Sequence, residues 1–126
     1  MRNFKCIALL CLITTVVALG HHSAIMFDRD KEISVTGTVK EFAFTNPHVS
    51  IQITVTAQNG TATDWSFEAA STRGMVNAGW RKSSIKPGDT VTLVGHPLKD
   101  GRPGAQLMRA ILSDGTVLAS SGGENY

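Results

Sequence analysis

The chain has 126 residues, of which 42% are hydrophobic, and its formal net charge is +2. That length suits one domain and is too short for two of ordinary size. Arg2 and Lys5 supply the whole basic excess, so residues 6–126 are neutral overall. Neutrality removes the electrostatic basis for binding nucleic acid or an anionic membrane surface, and we expect neither as a partner.

Residues 1–20 have the pattern of an export signal peptide, so we expect a periplasmic or secreted protein. A basic head precedes an apolar run, Cys6–Leu19, and Gly20 follows it as a small residue at the cleavage position. The apolar run is too short to cross a bilayer comfortably, so no membrane span is expected after cleavage. Cys6 and Cys11 leave with the signal, and the mature chain can form no disulfide.

The predicted cleavage exposes histidine. A cut after Gly20 would begin the mature chain with His21 and His22, and a free α-amine beside imidazole rings is a good chelator for Cu(II). Cuts after Ala18 or Leu19 are alternatives, and a cut after Ala18 would remove the histidine-first terminus. The segment therefore predicts export, and it suggests copper as a ligand.

We expect the mature chain to comprise a lead-in over residues 21–31, one domain over residues 32–119 and a frayed tail over residues 120–126. Apolar residues that alternate at period two predict the strands, and Asn-Gly, Pro-Gly and Asp-Gly pairs predict turns between them. The predicted strands begin near residues 33, 48, 61, 90, 105 and 116. A short helix capped by Ser71 or Thr72 separates the third strand from the fourth.

Two local features refine this pattern. The apolar phase of the first strand slips near Lys40-Glu41, and one inserted residue there predicts a β-bulge. In the helical segment, Met75, Val76 and Trp80 are expected to form a small apolar patch. Three meandering strands, a helix and two further strands follow the order of the OB-fold, a small Greek-key β-barrel. An immunoglobulin-like sandwich is the alternative, although that fold has about seven strands and no such helix.

Short motifs along the mature chain resemble a family of small exported bacterial proteins of unknown function. The matching pieces are His21-His22-Ser23, Met26-Phe27-Asp28, Gly37-Thr38-Val39, Thr45-Asn46-Pro47-His48, Gly79-Trp80, Lys86-Pro87-Gly88-Asp89, Gly95-His96-Pro97 and Asp114-Gly115. The resemblance implies a bacterial, exported protein and implies no particular activity. The family has alanine before the double histidine where this chain has Gly20, which bears on the position of the cut.

Four histidines are the candidate metal ligands: His21, His22, His48 and His96. His48 and His96 fall on the polar phase of their strands, and the barrel topology places the loops beside them at one end. The lead-in is long enough to bring His21 to that end. These residues predict a metal site with copper as its ion and Ni(II) or Zn(II) as alternatives, and Met26 could assist Cu(I) as a soft ligand. The alternative is that all four are ordinary surface histidines.

No motif for catalysis is visible, so we expect no enzymatic activity. The chain has no Gly-x-Ser-x-Gly nucleophile turn, and no cysteine remains in the mature protein. Glu68 is expected to face solvent, on the strand face opposite its apolar neighbours. If no metal binds, the protein is predicted to be a recognition module for a peptide, a glycan or a partner protein. That module would use Phe42, Phe44 or the loop around Arg102 on the outer barrel face.

Overall fold

A computed structural model describes residues 26–120, which form mainly β structure with one short helix. The predicted signal peptide, His21, His22 and most of the predicted tail lie outside the described residues. In chain order the elements are β1 (Ile33–Ala43), β2 (Ser50–Thr56), β3 (Ala62–Glu68), α1 (Thr72–Asn77), β4 (Thr90–Pro97), β5 (Gly104–Leu112) and β6 (Val117–Ala119). No helix within residues 26–120 is long and apolar enough to cross a membrane.

Five of the strands close into a barrel. β1 lies between β2 and β4, and both pairings are antiparallel. β2 continues to β3 and β4 continues to β5, again antiparallel. Parallel pairing of β3 with β5, in which Phe67 lies opposite Ala105, joins the two ends. The predicted OB-like Greek-key barrel is confirmed, the sandwich alternative is wrong, and β6 adds an antiparallel extension to β5.

Apolar side chains at every second position of the strands fill the interior of the barrel. Val49, Ile51 and Ile53 are fully buried at period two, and Phe67 on β3 is buried beside them. The helix contributes Met75 to this core, and Trp80 follows it, both fully buried. Ser71 caps the helix by accepting a hydrogen bond from the Gly74 N–H, as predicted.

Of the predicted apolar patch, Met75 and Trp80 are fully buried, whereas Val76 is 42% exposed. α1 has only six residues, and successive residues on a helix point about 100° apart. A helix of this length turns one narrow face to the core, and Met75 occupies that face. Its neighbour is therefore left toward solvent.

The predicted β-bulge in β1 is confirmed between Val39 and Glu41. The turn before β4 satisfies the backbone there: the Val39 N–H donates to the Asp89 carbonyl at 2.8 Å, and the Gly88 N–H donates to the Val39 carbonyl at 2.8 Å. After the bulge, Phe42 packs at the edge of the core, with its ring centroid 5.8 Å from that of Trp80. The bulge thus bends β1 and changes which residues face inward.

Candidate functional site

His48 and His96 lie at one end of the barrel. His48 is in the loop that leads into β2, and His96 is near the end of β4. Strand register places a band of residues between them around the barrel: Ser50 lies opposite Glu68, Glu68 opposite Gln106, and Gln106 opposite His96. We call Ser50, Glu68, Gln106 and His96 the polar band.

Each of these two histidine rings is held by a backbone carbonyl. His48 Nδ1 is 3.2 Å from the Ala69 oxygen, and His96 Nδ1 is 2.7 Å from the Lys31 oxygen. A carbonyl oxygen only accepts, so Nδ1 must carry the donated proton in both rings. In a neutral ring that arrangement leaves the lone pair on Nε2, the atom that can bind a metal.

The end of the lead-in is fastened beside β4. Phe27 is 6% exposed and forms a β-bridge with Leu98. The Lys99 N–H donates to the Met26 carbonyl at 2.9 Å, and the Asp28 N–H donates to the Pro97 carbonyl at 2.8 Å. These contacts fix the point at which the upstream chain joins the barrel.

A turn over Asp28–Lys31 connects this bridge to β1. The Lys31 N–H donates to the Asp28 carbonyl at 3.2 Å, and the two side chains form an ion pair at 3.1 Å. The hydrogen bond from the Lys31 ammonium holds the pKa of Asp28 below its ordinary value of 3.8. Because His96 donates to the Lys31 carbonyl, its ring supports this turn.

A groove of about 390 Å³ lies between the fastened lead-in, β3 and the loop from β4 to β5. Met26, Phe27 and Leu98 supply apolar walls, and Glu68 and Arg102 supply charge. Arg102 Nε donates to Asp100 Oδ2 at 2.7 Å. The Arg102 backbone N–H and then its guanidinium lower the pKa of Asp100. The groove is therefore amphipathic, with its charges at defined positions.

Glu68 connects this groove to His48. Its Oε1 atom is 3.6 Å from His48 Nδ1, and the two side chains are 36% and 43% exposed. Sequence reasoning placed Glu68 on the solvent face and missed this contact. The Asn59-Gly60 hairpin turn is the signal that could have found it, since a tight turn sets strand register and this register pairs Ser50 with Glu68.

The described part of the chain does not assemble a metal site by itself. Within residues 26–120 no three His, Cys, Asp or Glu side chains lie close enough to hold one ion. His48 and His96 are separated by the Glu68 and Gln106 positions of the polar band. Within residues 26–120, His48 and His96 are therefore two separate histidines, each with Nδ1 on a backbone carbonyl.

Of the predicted recognition residues, only Arg102 faces the groove. Phe42 and Phe44 are partly buried against the core, with ring centroids 5.6 Å apart in an edge-on arrangement. Phe42 packs beside Trp80 at the edge of the barrel core, so the pair does not form a flat exposed surface. Contacts with a partner at the groove would therefore involve the loop around Arg102.

Comparison with known proteins places the chain in a family. No curated protein and no solved structure matches it. The model of one family, described as a family of unknown function, matches residues 8–106. That match covers most of the chain, from the apolar run through the first three residues of β5. The chain therefore belongs to DUF6152, a family of unknown function.

Proposed function

We propose that this chain is an exported, non-enzymatic binding module that holds copper at a histidine-first terminus. The observation that carries the proposal is the hydrogen bonding of the two histidine rings on the barrel. Both His48 and His96 use Nδ1 to bond a backbone carbonyl, which leaves Nε2 as the ligand atom. Both lie at the barrel end where Met26 and Phe27 are fastened.

The proposed ligands are nitrogen atoms. After cleavage behind Gly20, His21 supplies its α-amine and its ring, and His22, His48 or His96 supplies further imidazole. Amine and imidazole nitrogen favour Cu(II) over the other divalent ions of the first row. A terminal amine has an ordinary pKa of about 8, so it gives up its proton to copper at small cost near neutral pH.

The length of the upstream chain allows this arrangement. His21 precedes Met26 by five residues, and a chain of that length reaches at most about 17 Å when extended. Met26 lines the groove that Glu68 also lines, and Glu68 is next to His48. In this proposal the upstream span brings the terminal copper site to a ligand from the barrel.

The test begins with the mass of the exported protein, which identifies its first residue. Copper titration followed by electron paramagnetic resonance then compares wild type with His21→Ala and with a chain carrying one extra glycine before His21. The extended chain is the matched control, because it keeps every imidazole and moves only the α-amine. We expect both variants to lose the wild-type spectrum, because each changes the set of nitrogen atoms around the ion.

Two results would refute the copper proposal. One is a mature chain that begins at Leu19, since the protein would then have no histidine-first terminus. The other is a wild-type spectrum in both His21→Ala and the glycine-extended chain. Ascorbate oxidation by the copper-loaded protein serves as a separate assay, and turnover faster than that of the same concentration of free copper would refute the non-enzymatic part of the proposal.

The groove favours a second candidate, a metal-free recognition module. It has apolar walls formed by Met26, Phe27 and Leu98, with Glu68 and Arg102 as charged groups, which suits an extended peptide with apolar side chains or a loop of a partner protein. A peptide library screened against wild type and Arg102→Ala tests this function. Arg109→Ala is the control, since Arg109 pairs with Glu32 away from the groove. Equal binding by both variants would reject the groove.

A further inference from the structure

We infer that Asn59 is a site of spontaneous deamidation in the folded protein, and that this reaction makes the tip of the hairpin between β2 and β3 acidic. Asn59 and Gly60 lie in the turn that follows Thr56 and precedes Ala62. The turn is at the other end of β2 from Ser50 and the polar band. Copper binding at the histidines therefore plays no part in the reaction.

Deamidation of asparagine needs only the chain and water. The backbone nitrogen of Gly60 attacks Cγ of Asn59 and forms a new C–N bond. The bond from Cγ to the side-chain nitrogen breaks, and that nitrogen leaves as ammonia with the proton of the Gly60 N–H. Water then adds to one carbonyl of the cyclic succinimide, which opens to aspartate or isoaspartate. Glycine after the asparagine favours the attack, because it has no Cβ to obstruct a close approach.

The turn leaves both partners of this reaction open to water. All residues from Ala57 to Thr61 are exposed. Gly60 has a φ of 84°, a left-handed conformation that glycine adopts without strain. Apart from its chain neighbours, no atom of the described residues lies within 4 Å of the position that a Cβ on Gly60 would occupy. The succinimide therefore has space to form, and water can reach its carbonyls.

A hydrogen bond activates the carbonyl that is attacked. Asn59 Oδ1 accepts from the Thr61 N–H at 3.0 Å, and Thr61 directly follows the glycine that supplies the attacking nitrogen. This bond restricts the Asn59 side chain to orientations that lie over the turn. The N–H donor also draws charge from Cγ and stabilises the negative oxygen that forms during the attack.

A second hydrogen bond restrains the reaction. The Gly60 N–H donates to the Ala57 carbonyl at 2.9 Å, so the nitrogen can attack only when this bond opens. The exposed tip of a hairpin opens at small cost compared with unfolding of the whole domain. We therefore expect Asn59 to react in the folded protein through local opening of the turn. It should react more slowly there than in an unstructured peptide of the same sequence.

Two other asparagines in the described part of the chain provide internal controls. Asn46 precedes Pro47, and proline has no backbone N–H. Asn77 ends α1, and the next residue, Ala78, donates its N–H to the Gly74 carbonyl at 3.1 Å. Neither asparagine is followed by glycine, so both should react far more slowly than the hairpin asparagine.

Both products change the hairpin. Each replaces the neutral amide of Asn59 with a carboxylate, which gives the neutral stretch over residues 6–126 one negative charge. In isoaspartate the backbone runs through Cγ, so the turn also gains one backbone atom. That atom lies inside the turn, which the Ala57 N–H closes by donating to the Thr61 carbonyl at 2.9 Å. The strands on either side can therefore keep their register.

The experiment incubates full-length exported protein at mildly alkaline pH and follows each asparagine by peptide mapping with mass spectrometry. Enzymatic methylation of isoaspartate measures that product separately. The samples are wild type, Asn59→Gln and Trp80→Phe, and a synthetic peptide of residues 56–62 is the unstructured reference. Trp80 is fully buried, so its replacement raises the unfolded population without touching the hairpin. Circular dichroism checks that each variant is folded.

The expected results separate reaction in the folded protein from reaction in the unfolded chain. Asn59 should convert at least about tenfold faster than Asn77 in the same molecule. Its rate should be lower than in the peptide by about threefold or more. Asn59→Gln should remove the isoaspartate signal from the hairpin peptide. Trp80→Phe should leave the Asn59 rate within about twofold of wild type, because local opening of the turn does not require unfolding of the barrel.

Two results would overturn the inference. The first is conversion of Asn59 no faster than that of Asn77. The second is faster conversion in Trp80→Phe in proportion to its unfolded population, since the reaction would then occur in unfolded chains. If Trp80→Phe does not fold, wild type in urea below its unfolding midpoint gives the same comparison.

Discussion

Replacing Trp80 with phenylalanine should destabilise the barrel by about 2–3 kcal/mol. Trp80 is fully buried, and its Nε1–H donates to the Ala119 carbonyl at 2.7 Å. Phenylalanine leaves that carbonyl without its donor, at a cost of about 1 kcal/mol. The smaller ring also leaves unfilled space beside Phe42 and Met75, at a cost of about 1–2 kcal/mol. The indole thus fastens β6 to the segment that follows the helix.

Urea unfolding monitored by circular dichroism measures this effect. For a domain of this size we expect the midpoint to fall by about 1–2 M with the slope unchanged. Trp65→Phe is the matched control, since Trp65 is only partly buried at the edge of the core and should lose less than half as much. Equal losses in the two variants, or a loss below about 1 kcal/mol at Trp80, would refute the anchoring role.

Three further predictions concern the backbone approach, the lead-in and the pH dependence. Gly95→Ala should cost about 2 kcal/mol or more, because a Cβ there would lie against the Gln106 carbonyl oxygen; an unchanged thermal midpoint would contradict this. Phe27→Ala removes the buried anchor of the lead-in and should speed exchange of the Asp28 and Lys99 amides about tenfold or more while the barrel stays folded; unchanged protection of both amides would count against the anchor. The hydrogen bond from the Lys86 ammonium, then that from its backbone N–H, lowers the pKa of Asp89 below 3.8, so the stabilisation by this carboxylate is complete above about pH 5 and is lost as pH falls through the lowered pKa. Asp89→Asn should therefore reduce the urea midpoint at pH 7 and change it much less near pH 2, and an equal reduction at both pH values would contradict the pairing.

Local pattern was sufficient for the order of elements and for the bulge. Period-two alternation in β2 depends on which residues are apolar, and the Asn59-Gly60 pair marks the turn after it. The phase slip at Lys40-Glu41 became the observed register shift. These features involve residues close together in the sequence, so they are visible before any tertiary contact is known.

Which residues of the short helix are buried could not be predicted from the sequence. Met75 and Val76 are adjacent apolar residues, and the sequence gives no reason to expect one of them in the core rather than the other. The orientation of α1 against the barrel decides that Met75 is buried and Val76 is exposed. That orientation depends on how the helix is connected to β3 and β4, which is a property of the closed barrel.

Some features of the candidate site could likewise be predicted from the sequence, and others could not. The sequence by itself determined the residue types, which are four histidines and a stretch over residues 12–126 that is neutral overall and has no cysteine. It also determined the strand order that brings two of those histidines to one end. Only the tertiary structure decided which atoms they present, because the partners of His48 and His96 lie 21 and 65 residues away in the chain. Closure of β3 onto β5 and the bridge between Phe27 and Leu98 create the groove and bring Glu68 and Met26 to it. Contacts over such separations arise from the three-dimensional path of the backbone, and no local sequence pattern specifies them.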